Sequence, residues 1–92
     1  MDSEAQGPGV NPVLTLYGHS YCHLCTDMIA ALETKRDLGF ELELVDIEGR
    51  PELEARFGEL VPVLMMGEHK ICHYFLDEDA LHRALRDARG AL

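Results

Sequence analysis

Basic residues are scarce in this chain. The sequence holds 8 Lys and Arg against 17 Asp and Glu, a formal net charge of −9. A field of that sign repels a polyanion, and no Lys/Arg cluster opposes it. Nucleic-acid binding through phosphate neutralisation is therefore not expected, and an anionic membrane surface is disfavoured for the same reason. No apolar run approaches the roughly 20 residues of a transmembrane helix. The opening Met1-Asp2-Ser3-Glu4 is acidic and polar where a secretory leader is basic and then apolar, so a cytoplasmic protein is expected. Cysteine is also sparse. The 3 cysteines do not make a disulfide framework, and in a chain without an export signal one close pair reads as redox-active or metal-binding.

What is present suits one small globular domain. The 92 residues are 47% hydrophobic and 27% charged, an ordinary soluble composition without bulk disorder. Residues 1–12 hold Gly7-Pro8-Gly9 and Asn11-Pro12 and read as a flexible N-terminal arm, with the domain spanning 13–92. There is no internal repeat, and a monomer is expected.

Hydrophobic periodicity divides the domain into seven elements. Val13–Tyr17 is a β-branched and apolar run closed by Gly18, a buried strand. Ser20 is placed to cap a helix over 22–37, whose apolar residues Leu24, Met28, Ala31 and Leu32 recur at helical spacing before Gly39. Phe40 to Leu44 alternates and Val45-Asp46-Ile47 follows, a strand whose first half has one solvated face. Pro51 opens a short second helix with Glu52 and Glu54 in its first turn and Leu53 and Phe57 inward. Leu60 to Met66 reads as a third strand with Pro62 near its start. Gly67-Glu68 turns the chain, and Lys70 to Phe75 returns as a fourth strand. The last helix begins near Asp77, with Asp77, Glu78 and Asp79 at its N-terminus and Arg83, Arg86 and Arg89 toward its end.

The order β-α-β-α-β-β-α predicts an α/β fold. A first βαβ unit demands parallel strands with a right-handed crossover, and the late hairpin is antiparallel. The sheet is thus four-stranded and mixed. Helices one and three are expected on one face, helix two on the other.

Cys22-His23-Leu24-Cys25 carries the chemistry. It follows a strand and a short loop, so Cys22 falls at a helix N-terminus. Unpaired backbone N–H groups and the helix dipole there stabilise a thiolate and lower its pKa. Cys25 lies one turn on, close to the same face and within disulfide reach after small adjustments. An activated thiol beside a resolving thiol is what disulfide exchange requires. Two other readings stay open. A lone C-x-x-C is half of a zinc or iron–sulfur site, which His19, His23, Cys72 or His73 could complete; or the pair is packed inertly as small hydrophobes. Cys72 itself reads as a buried small hydrophobe, and His69 and His82 as surface residues.

These features together resemble the glutaredoxins of the thioredoxin-like superfamily, over Val13 to about Leu92. The carriers are the C-x-x-C after strand one, Val61-Pro62 opening strand three, and the element order. The resemblance implies a dithiol–disulfide oxidoreductase with Cys22 as nucleophile and Cys25 as resolving cysteine. It implies a cis-proline at Val61-Pro62, whose neighbouring backbone docks an extended thiol substrate. Tyr21 is placed to shield the thiolate or stack on substrate, and His23, when charged, to stabilise it. Disulfide-containing proteins or glutathione mixed disulfides are the implied substrates, with glutathione or a thioredoxin reductase system as reductant and no tightly bound cofactor or metal. The pattern departs in three places. Cys-His-Leu-Cys replaces the common Cys-Pro-Tyr-Cys, His19 stands where a lysine often meets a glutathione carboxylate, and Cys72-His73 stands nearest the usual Gly-Gly turn. Glutathione binding is loosened by the last two. A non-catalytic interaction domain of the same fold is the remaining alternative.

Overall fold

The computed structural model describes residues 11–90. Its elements are β1 (Val13–Gly18), α1 (His23–Glu33), β2 (Glu41–Asp46), α2 (Pro51–Phe57), β3 (Val63–Met66), β4 (His69–His73) and α3 (Glu78–Gly90). The sheet order is β2-β1-β3-β4. β1 and β2 run parallel, β1 pairs antiparallel with β3, and β3 with β4. This is the four-stranded mixed β-α-β-α-β-β-α arrangement expected from the element order.

Strand alternation sends side chains to two cores. One face buries Leu14, Leu16 and Leu64 against Met28 and Leu32 of α1 and Leu81, Ala84 and Leu85 of α3. The other buries Val63 and Met65 against Ile47 and Phe57, with Leu53 packed alongside. Helices one and three therefore share a face and α2 covers the opposite one. Cys72 belongs to the first core, and His69 and His82 are exposed.

Several boundaries differ from the periodic pattern, each for a local reason. α1 stops at Glu33 rather than Asp37, because Thr34 and Lys35 tighten onto Ala31 and Leu32 through i→i−3 bonds. A single 3₁₀ turn, Arg36–Leu38, follows, and Gly39 at φ +86° closes it in the left-handed region. β3 starts at Val63, since Pro62 has no N–H for the ladder. β4 ends at His73 because Tyr74 leaves the extended region with φ +66°. Gly67, at φ +60°, makes the two-residue turn that sets Met66 opposite His69. Of the arm assigned to 1–12, residues 1–10 lie outside the described residues, and the Pro12 carbonyl accepts the Glu41 N–H at 2.9 Å. No helix among the described residues is long and apolar enough to cross a membrane.

The register decides what meets what. Gly18 lies opposite Asp46, Tyr17 opposite Val63, and Val63 opposite His73. The segments after β1, after β2, before β3 and after β4 thus leave the sheet at one common end.

Candidate active site

The cysteine pair stands at that end. Cys22 is the N-cap of α1, in extended backbone conformation, and its Sγ accepts the Cys25 N–H at 3.1 Å. Sulfur here takes the place that a serine or aspartate oxygen fills in an ordinary cap. Ser20, read as the cap from sequence, is not one. Its hydroxyl donates instead to Asp46 Oδ2 at 2.8 Å, tying the loop before α1 to the end of β2.

The two thiols have unlike surroundings. Cys22 is partly exposed, whereas Cys25 is 5% exposed and packs against β1. Burial first, then the hydrogen bond and charge of Cys22, push the Cys25 thiol up to about 11. Gly18 makes its seat possible, since a Cβ there would stand 2.7 Å from the Cys25 Sγ. Both cysteines, and Cys72, are free thiols. Burial also raises Cys72, which lies 8% exposed in the core.

The remaining sequence candidates spread around this centre. Ser20, Tyr21, Cys22, His23 and Thr26 line one depression of about 240 Å³. Tyr21 is 94% exposed and His23, the first residue of α1, is also exposed. The Val61–Pro62 peptide bond is cis, with Pro62 buried and Val61 packed against the Phe57 core. The Glu48 N–H first, and then the Ser20 hydroxyl, lower the Asp46 carboxyl, and the charge of His19 adds a smaller lowering. A groove of about 220 Å³ is lined by Gly18, His19, Ser20, Cys25 and Asp46 among others.

The metal-ligating groups that converge do not include the dithiol. Among the described residues, His19, Asp46 and Glu48 offer ligand atoms within 4.8 Å of one another, and neither Cys22 nor Cys25 joins them. Cys72 is held in the core and His73 lies against the Lys70 Nζ at 3.1 Å. The set His19, His23, Cys72 and His73, considered from sequence to complete a metal site with the cysteines, is not brought together.

Sequence reasoning missed three contributors. The periodic pattern marks Gly18 only as the end of a strand and Asp46 only as part of one. Tyr74 donates its N–H to the Pro62 carbonyl at 2.9 Å and its hydroxyl to the Glu59 carbonyl at 2.8 Å. A positive-φ tyrosine has no sequence signature; the Ser20–Asp46 bond needed only the strand register.

Residues 13–86 match the family described as Glutaredoxin-like domain (DUF836). Protein Ne2328 from Nitrosomonas europaea, solved by NMR, is 40% identical and superposes with a TM-score of 0.74, over 82% of this chain and 92% of that one. The crystal structure of protein XcR50 from X. campestris is 35% identical, with a TM-score of 0.65 over 82% of this chain and 96% of that one. The uncharacterized protein Rv0508 of Mycobacterium tuberculosis is 28% identical over 76 residues, covering 76% of this chain and 78% of that protein.

Proposed function

The chain belongs to the glutaredoxin-like domain family (DUF836), and from that premise we propose that it is a thiol–disulfide oxidoreductase reducing protein disulfides or glutathione mixed disulfides. The observation that carries this is the Cys22 Sγ acting as cap acceptor of α1, with the Cys25 N–H 3.1 Å away. That bond holds the Cys22 sulfur at the N-terminus of α1, partly exposed and one turn from the buried Cys25.

The steps follow from the asymmetry of the pair. The Cys22 thiolate attacks one sulfur of a substrate disulfide. The substrate S–S bond breaks, a Cys22–substrate disulfide forms, and the leaving thiolate takes a proton from water. Cys25 stays protonated meanwhile, because its thiol is pushed up to about 11. Burial contributes most to that shift, but the Cys22 hydrogen bond and charge also contribute. Once Cys22 is in the mixed disulfide its charge is gone. Cys25 then gives up its proton more readily and attacks the Cys22 Sγ, releasing the second substrate thiol. The pair is oxidised by two electrons and the substrate reduced by two.

Return to the dithiol takes an outside thiol donor, for which we propose glutathione or a thioredoxin reductase system. His19 faces the Asp46 and Glu48 carboxylates, a poor seat for a glutathione carboxylate, and this favours protein disulfides as substrate. In this proposal the backbone at Val61 and Pro62 docks the substrate chain, with Tyr21 and His23 flanking the nucleophile. The protein acts as a cytoplasmic monomer without a tightly bound cofactor.

Turnover of a peptide disulfide by the two serine variants tests the proposal. Cys22→Ser is expected to lose exchange, and Cys25→Ser to accumulate a mixed disulfide on Cys22. Wild-type turnover by Cys22→Ser overturns it.

A further inference from the structure

Tyr74 holds a backbone conformation that glycine adopts freely and tyrosine rarely, at φ +66°. What the pose achieves is visible in its bonds. The Tyr74 N–H reaches the Pro62 carbonyl at 2.9 Å, continuing past the Val63–His73 rung of the β3–β4 ladder. The left-handed turn then carries the ring back across the loop, where the hydroxyl donates to the Glu59 carbonyl at 2.8 Å. His73 packs edge-on against the same ring, with centroids 4.7 Å apart.

The two bonds grip the segment from Glu59 to Pro62 at both ends. Between them, Leu60 donates its N–H to the Phe57 carbonyl at 2.8 Å. Val61 is different: among the described residues neither its N–H nor its carbonyl makes a backbone hydrogen bond. An extended peptide laid beside it can pair with both groups as an added strand does. A backbone site of this kind is useful only if held still, because ordering a loose loop at the moment of binding costs affinity.

We propose that Tyr74 is a positioning residue, strapping the Glu59–Pro62 loop so that the unpaired Val61 backbone is presented to the polypeptide chain of a disulfide substrate. This rests on the dithiol function proposed above, and it makes a polypeptide, rather than a small disulfide, the substrate class. In this role Tyr74 acts through the loop and leaves the exchange step itself alone.

The test compares a peptide disulfide with bis(2-hydroxyethyl) disulfide, which has no amide to pair with Val61. Tyr74→Phe removes only the bond to the Glu59 carbonyl. It is expected to raise the KM for the peptide disulfide about two- to tenfold, the range for one lost hydrogen bond, with kcat unchanged. Turnover of bis(2-hydroxyethyl) disulfide is expected to stay at the wild-type rate. Tyr74→Gly relaxes the backbone, keeps the N–H to Pro62, and is expected to show the same split; it serves if the phenylalanine variant folds poorly. Unchanged peptide KM in both variants overturns the assignment while leaving the dithiol function standing. Equal losses on both substrates overturn it too, as a general effect on the fold. A wild type that reduces neither disulfide overturns the dithiol function and this assignment with it.

Discussion

The Cys25 N–H points at the Cys22 Sγ across 3.1 Å, so Cys22 caps α1 by accepting from the backbone of its own partner in the C-x-x-C pair. One hydrogen bond thereby fixes the Cys22 sulfur at the positive end of α1, one turn from Cys25. Their unequal exposure follows from the same placement, with Cys25 turned into the sheet.

Labelling should follow that inequality. Cys22 is partly exposed, while Cys25 and Cys72 are 5% and 8% exposed. Iodoacetamide at neutral pH is expected to modify Cys22 first, the other two reacting only after denaturation. Peptide mapping by mass spectrometry reads the order, and early modification of Cys25 contradicts it.

Alkaline stability gives a second prediction. Folding raises the Cys25 thiol from 9.0 to about 11, so the folded state holds this proton more tightly than the unfolded chain. The contribution is complete below pH 9.0 and is lost as pH rises toward about 11. Cys72 moves in the same direction. The melting temperature is expected to fall across that window, and to fall less in Cys25→Ser.

Gly18→Ala puts a methyl group 2.7 Å from the Cys25 Sγ. The thiol must shift within a packed site, at a cost of about 1–3 kcal/mol. The variant is expected to melt lower and to close the Cys22–Cys25 bond more slowly, as measured by single-turnover release of the second substrate thiol. Wild-type kinetics in a folded Gly18→Ala protein contradict the seat assigned to Cys25.

Charge should sort the substrates. The chain carries a net charge of −9, and Asp46 and Glu48 stand at the end of the sheet that bears the cysteines. The cationic bis(2-aminoethyl) disulfide is expected to react faster than anionic glutathione disulfide at low ionic strength, with the gap narrowing as salt is added. Stopped-flow rates over a salt series check this.

The dithiol was legible in the sequence because strand, loop, spacing and helix all fall within the stretch from Val13 to Leu32. The two cores were legible because alternation and helical spacing report the faces directly. The cap was not. Ser20 and Cys22 can both cap a helix, and Asp46, distant in sequence, takes the Ser20 hydroxyl only once Gly18 and Asp46 are in register. The ends of α1 and β4 were also hidden, since i→i−3 tightening at Thr34 and a positive φ at Tyr74 are backbone events that residue type does not announce. The placing of His19 beside Asp46 and Glu48 depends on that same register.

The most direct measurement is disulfide mapping of the reduced wild-type protein after one turnover with a peptide disulfide. A Cys22–Cys25 cross-link, with Cys72 still a free thiol and both substrate thiols released, is the predicted result. A stable substrate adduct on Cys22 without ring closure, a cross-link through Cys72, or no oxidation of the pair at all contradicts it.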